Sequence, residues 1–142
     1  MKHYILILSI ASAVWAGAGC ASSPRDKGPY LPQEPKTPSH EATQPVVLMD
    51  PGVQYSVTLA APPQARMLED GRMEVVAQLR NRENRRIEVQ ANCVWKDVNG
   101  VGIGDETPFQ TVILTENATE QVRFVSSNNK AQKYTVRVRQ AR

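Results

Sequence analysis

RIEVQANCVWKDVNGVGIG, residues 86–104, decides the fold. Ile87, Val89, Ala91, Cys93 and Trp95 take every second position, and Glu88, Gln90, Asn92 and Lys96 fill the gaps. Side chains two apart on an extended chain share a face, so this is a strand with one face in the core. Trp95 carries the largest apolar area and belongs at the centre of that core. Asp97-Val98-Asn99-Gly100 follows as a tight turn, in which Asn99 or Gly100 can take the positive φ that a short hairpin demands.

Working outward, the same period recurs. Met73, Val75, Ala77 and Leu79 alternate with Glu74, Gln78 and Arg80, and Asn81-Arg82-Glu83-Asn84 reads as the hairpin leading into the Trp95 strand. Further upstream, Val46 to Met49 is an apolar run stopped by Asp50-Pro51-Gly52, and Tyr55, Val57 and Leu59 alternate up to Pro62-Pro63. Downstream, Asp105-Glu106-Thr107-Pro108 reads as a loop, Phe109 to Thr115 as a strand and Glu116 to Thr119 as a turn. Val122 and Phe124 form another strand, Ser126 to Lys130 a turn, and Tyr134, Val136 and Val138 the last strand, against Thr135, Arg137 and Arg139. Short strands this closely spaced predict an all-β, immunoglobulin-like antiparallel β-sandwich of about seven strands over residues 46–142, with a small barrel as the alternative.

The N-terminal 45 residues read differently. Residues 1–19 have a basic start at Lys2, an apolar run from Ile5 to Trp15 and small residues up to Cys20, the plan of a secretory signal. A membrane span needs roughly 20 apolar residues, and this run is about half that. Ala16-Gly17-Ala18-Gly19-Cys20 resembles a bacterial lipobox, with Gly17 where Leu is usual. The expectation is a lipoprotein signal peptide at 1–19 and lipid, thioether-linked diacylglycerol plus an N-acyl chain such as palmitate, on Cys20. Cleavage after Ala18 is the alternative. Two chains at about 0.8 kcal/mol per buried CH₂ already anchor stably. Ala21 in place of Asp, by resemblance to sorted lipoproteins, implies the outer membrane, with the domain in the periplasm.

Residues 20–45 hold the lipidated Cys and a tether with six of the ten prolines, at 24, 29, 32, 35, 38 and 45. So few aliphatic residues cannot support a core. At about 3.1 Å per residue, polyproline II from residue 21 to 45 reaches at most roughly 75 Å. His40 falls in this tether as a solvated residue. With Cys20 lipidated, Cys93 has no partner for an internal disulfide and reads as a small buried hydrophobe.

Met73 to Arg139 resembles the YcfL-like family of proteobacterial lipoproteins, a domain of unknown function. The residues that carry the resemblance are Leu79-Arg80-Asn81, Val94-Trp95-Lys96-Asp97-Val98-Asn99-Gly100, and Thr107-Pro108-Phe109-Gln110 leading into Val112 and Leu114. The family's W-x-D-x-x-G stands as Trp95, Asp97 and Gly100. Cys93 departs from the family's large residue there, and Ser126-Ser127 from its Ala-Pro pair. The resemblance implies an immunoglobulin-like sandwich on an outer-membrane lipoprotein without an assigned activity, and by family association a link to cell-wall synthesis machinery.

Function must then be read from surfaces. Residues 46–142 contain no His, so neither a nucleophile with a His base nor a His/Cys zinc site is expected, and no catalytic, metal or cofactor-binding residue is assigned. No Gly-rich loop follows a strand and opens a helix, which removes nucleotide binding. Asp105 and Glu106 read as solvated neighbours. Net charge is only +3, but Arg80, Arg82, Arg85 and Arg86 crowd one turn, and Lys133, Arg137, Arg139 and Arg142 line the last strand. An exported protein meets little nucleic acid, so the arginines are expected to contact an acidic envelope protein partner or phosphate-bearing lipid, arginine pairing well with both. Their structural alternative is pairing with Glu74, Glu83, Glu88 and Glu120. The expected function is a non-enzymatic, tethered interaction module; the alternative is a periplasmic glycan or small-ligand binder using exposed residues near Phe109 and the Asp97 to Gly100 turn.

Overall fold

A computed structural model describes Pro32 and residues 39–142. The signal segment, Cys20 and the rest of the tether up to residue 38 lie outside the described residues. A 3₁₀ turn at His40–Ala42 precedes strand β1 (Val46–Leu48), helix α1 (Pro51–Ser56) and strand β2 (Val57–Met67). Then come β3 (Met73–Asn81), β4 (Ile87–Lys96), β5 (Gly102–Glu106), β6 (Gln110–Leu114), β7 (Thr119–Val125) and β8 (Lys133–Gln140).

The strands form two sheets packed as a sandwich. One runs β1-β8-β4-β5, with β6 also paired to β4; the other runs β2-β3-β7. β4 is the centre of the larger sheet. It pairs antiparallel with the whole of β8, from Val89 opposite Gln140 to Lys96 opposite Lys133. Its other edge is shared between β6, beside Ile87 to Ala91, and β5, beside Val94 to Lys96. β1 lies parallel to β8, with Val46 opposite Val136 and Leu48 opposite Val138.

The alternation read from β4 and β3 is the core. Val89, Ala91, Cys93 and Trp95 from one sheet meet Val75, Ala77 and Leu79 from the other, joined by Val122, Phe124, Val136 and Val138, all buried. Full burial of one large apolar side chain contributes roughly 1.5–3 kcal/mol, so this seam supplies most of the stabilisation. The Asp97 turn forms as expected: Asp97 Oδ1 accepts from the backbone N–H of Asn99 at 2.8 Å and of Val101 at 2.9 Å, and Gly100 has φ 84°.

Several expectations are corrected. Asn81 to Asn84 close no hairpin, because β3 and β4 belong to different sheets and residues 82–86 carry the chain between them. The described residues form eight strands where about seven are expected, and one α-helix. Asp50-Pro51-Gly52 does not merely end β1: Asp50 is held extended (φ −120°, ψ 142°), as the residue before proline prefers, and Pro51 opens α1. Tyr55 is therefore a helix residue, 76% exposed, rather than part of an alternating strand. Pro62-Pro63 do not stop the next strand. β2 is an edge strand, which tolerates residues without an N–H, and it absorbs them with register shifts between Leu59 and Ala61 and between Ala61 and Gln64.

Asp105 and Glu106 are strand residues on opposite faces, not a loop pair. Asp105 is buried and accepts from the Ser127 N–H at 2.7 Å, whereas Glu106 is exposed and meets Arg137 at 3.0 Å. Four residues assigned to the polar faces are also buried: Glu74, Asn92, Lys96 and Thr135. Glu74 is covered by Arg66 and Arg123, its neighbours on β2 and β7, whose guanidinium groups compensate its charge. Lys96 and Thr135 are covered by what precedes β1, whereas Asn92 bonds Glu106 and Thr107.

Candidate interaction surface

Taking the end that bears the Asp97 turn as the upper end, β8 and β1 run downward while β4 runs upward. Arg80 is the last residue but one of β3, at the lower end, and Arg82, Arg85 and Arg86 lie in the crossover to β4. All four are exposed. The crossover is fixed by Asn81, whose buried amide donates to the carbonyls of Arg85 at 2.7 Å, Leu114 at 3.2 Å and Thr115 at 2.9 Å. Asn81 Oδ1 accepts from the Glu83 N–H at 2.9 Å. Asn and Asp side chains hold such turns because they substitute for backbone partners.

The arginines divide into two pairs. Arg85 and Arg86 border a cleft of about 280 Å³ with Val53, Ser56, Glu88 and Gln140. Arg80 and Arg82 border a second depression with Thr58 and Asn117. Arg85 is ion-paired with Glu83, and its hydrogen bond, with a further one from the Ser56 hydroxyl, holds the Glu83 carboxyl below its usual range. Among the described residues Arg80, Arg82 and Arg86 have no carboxylate partner. Of the carboxylates considered as partners, Glu83 takes one arginine, and Glu74 takes Arg66 and Arg123 instead.

In the second basic row Arg137 and Arg139 are engaged within the domain. Arg137 binds Glu41 and Glu106, and its side chain is only 22% exposed. The Arg139 guanidinium stands 3.6 Å from the centroid of the Phe109 ring and bonds Gln90 at 3.0 Å. Arg142 lies 4.0 Å from Asp50, and Lys133 is exposed. The Phe109 ring, near which the alternative expects an exposed ligand-binding surface, thus has a face occupied by a cation.

Residues 39–45, which the sequence reads as the end of the tether, lie across the outer face of the larger sheet. Lys96 Nζ donates to the Glu41 carbonyl and to Thr135 Oγ1, the latter at 2.7 Å. Thr135 Oγ1 lies 3.1 Å from the carbonyl oxygens of both Glu41 and Gln44. Asn92 donates to the Glu106 carboxylate at 2.5 Å and the Thr107 carbonyl at 3.3 Å. His40 is exposed, as expected. A polar residue in a strand's solvent-side register is legible from sequence; that a preceding segment covers it is not.

Cys93 is fully buried, and burial, reinforced by the Asp105 charge, pushes its thiol up to about 12. The thiolate needed for nucleophilic or redox chemistry is thereby suppressed. Among the described residues no three His, Cys, Asp or Glu side chains stand close enough to hold a metal ion. No helix among them is long and apolar enough to cross a membrane.

Comparison with known proteins places this geometry. The crystal structure of Campylobacter jejuni cj0090 superposes with a TM-score of 0.55 at 17% identity, over 68% of this chain and 98% of that one. A family member from Shewanella sp. pv-4 superposes with a TM-score of 0.52 at 22% identity, over 61% of this chain and 77% of that one. At these identities the likeness is one of fold. No curated protein matches the chain. The family model described as "Protein of unknown function (DUF1425)" matches residues 44–140, the strands of both sheets from β1 to β8, and the chain belongs to that family.

Proposed function

We propose that this chain is a YcfL-like lipoprotein of the outer membrane, anchored by lipid on Cys20, whose immunoglobulin-like sandwich is a non-enzymatic docking module for an acidic protein partner in the periplasm. The observation that carries this reading is the position of the arginines. Arg80, Arg82, Arg85 and Arg86 sit at the lower end of the sandwich, whereas Glu41 and Gln44 meet it near the upper end, against Lys96 and Thr135. All four are exposed at the lower end, and Arg80, Arg82 and Arg86 have no carboxylate partner among the described residues, so their charge is open to an acidic protein surface. The two-sheet arrangement, with β3 to β4 and β6 to β7 crossing between sheets, supports the immunoglobulin-like kinship. The buried, weakly acidic Cys93 thiol supports a role without catalysis.

The test is Arg80→Gln, Arg82→Gln, Arg85→Gln and Arg86→Gln combined, followed by crosslinking and identification of partners in intact cells. Exposed charges contribute about 0–1 kcal/mol each, so the melting temperature should change little while partner capture falls. Capture by the wild type should weaken with added salt, the Debye length being about 8 Å at physiological ionic strength. A quadruple variant that captures the same partners as the wild type defeats the docking surface.

A further inference from the structure

β1 and β8 are the first and last strands, and they lie side by side and parallel. The chain reaches this ladder from above and runs down it; β8 runs down beside it to Gln140, at the arginine end. A pull between residue 39 and the lower end is therefore directed along both strands. It slides β1 over β8 and does not lift it away. In sliding, the Val136 N–H bond to the Pro45 carbonyl (2.9 Å) and the Met49 N–H bond to the Val138 carbonyl (2.8 Å) are strained together. In lifting, such bonds break one after another, each at a lower force.

The same short segment is pinned from the side. Thr135 Oγ1 meets the carbonyl oxygens of Glu41 and Gln44, Lys96 Nζ reaches the Glu41 carbonyl, and Arg137 binds the Glu41 carboxylate. Thr135 is 1% exposed and Lys96 7% exposed. Water has little access to replace these bonds as they stretch, and burying an ammonium group is costly unless it holds something. Lys96 holds main chain: its acceptors are the Glu41 carbonyl and a hydroxyl that itself contacts that same carbonyl and the Gln44 carbonyl.

We propose that residues 39–48, β8 and the Lys96, Thr135 and Arg137 side chains form a mechanical clamp that keeps the sandwich folded when the chain is pulled between its anchor and a partner at the arginine end. The use of the clamp rests on the docking reading above; its existence does not. Single-molecule force spectroscopy on the full chain, in a Cys20→Ala background, tests it with two pairs of pulling points. Ser39→Cys with a handle after Arg142 loads the ladder in shear, and Ser39→Cys with Lys133→Cys lifts β1 from its upper end.

The shear pair should rupture at a several-fold higher force than the lifting pair. Thr135→Val and, separately, Glu41→Ala should lower the shear force; forced unfolding reports the unfolding barrier, so the loss is read directly. If Thr135→Val fails to fold, Glu41→Ala, whose side chain is partly exposed, carries the comparison. Equal forces in the two directions, or a shear force unchanged in the folded variants, overturns the clamp. Neither lipid nor partner enters this measurement, so its failure leaves the docking reading to the arginine variant alone.

Discussion

The Asn81 amide donates to the Thr115 carbonyl at 2.9 Å, across the corner where the chain twice passes between the sheets. The same amide holds Arg85 in the first crossover and Leu114 at the start of the second. Two further bonds close the corner: the Asn81 N–H to the Ala118 carbonyl at 2.9 Å, and the Asn117 N–H to the Glu83 carbonyl at 3.1 Å. One buried side chain thus sets the spacing of the sheets at the end that carries the arginines.

Asn81→Ala should therefore destabilise the domain by about 3 kcal/mol, since each buried carbonyl left without its donor costs roughly 1–3 kcal/mol. Asn81→Asp should cost more, because it points a carboxylate at carbonyl oxygens. Urea denaturation checks both; a loss under about 0.5 kcal/mol for the alanine variant, the range of ordinary surface substitutions, would show that the corner is held by backbone bonds alone.

Trp95 is completely buried, yet its indole Nε1 has no hydrogen-bond partner among the described residues. Trp95→Ala should cost roughly 3–5 kcal/mol, as other large core truncations do. Trp95→Phe should cost clearly less, because it keeps most of the ring volume and removes an unsatisfied donor. Equal losses in chemical denaturation would show that the indole N–H does find a partner.

Stability should fall on the alkaline side. The Cys93 thiol is raised from 9.0 to about 12 in the fold, so below pH 9 it is neutral in both states and has no effect. Above pH 9 the unfolded chain loses this proton and the folded one retains it, which favours unfolding progressively up to about pH 12. At 1.36 kcal/mol per unit the full loss is about 4 kcal/mol. Tyr134 is raised too, chiefly by burial, so Cys93→Ala should flatten this pH dependence without abolishing it. An identical alkaline slope in the variant, measured by denaturation between pH 8 and pH 11, counts against the buried thiol as its source.

Cys20→Ala should move the protein from the outer-membrane fraction to the soluble periplasmic fraction, because two or more acyl chains make the anchor and nothing else is assigned to hold it. Fractionation followed by immunoblotting reads the result. Retention of the variant in the membrane fraction would mean that the sandwich itself binds there.

By itself the sequence determined the inward faces of β3, β4, β7 and β8, the Asp97 to Gly100 turn, the exposure of Arg80, Arg82, Arg85 and Arg86, and the expectation placed on Cys20. Each of these is local: alternation at period two reports which side chains share a face, and an Asp two residues before a turn amide can reach it without help from the rest of the chain. Only the tertiary structure decided which sheet each strand joins, that Asn81 to Arg86 form a crossover, and that the four arginines face two separate depressions. It also decided that Glu74, Asn92 and Lys96 are buried. The reason is that alternation shows that one face of a strand is apolar and is silent about what covers the other. For Lys96 and Thr135 the cover is a segment about 50 to 90 residues earlier in the chain, and no periodicity within β4 or β8 could announce it.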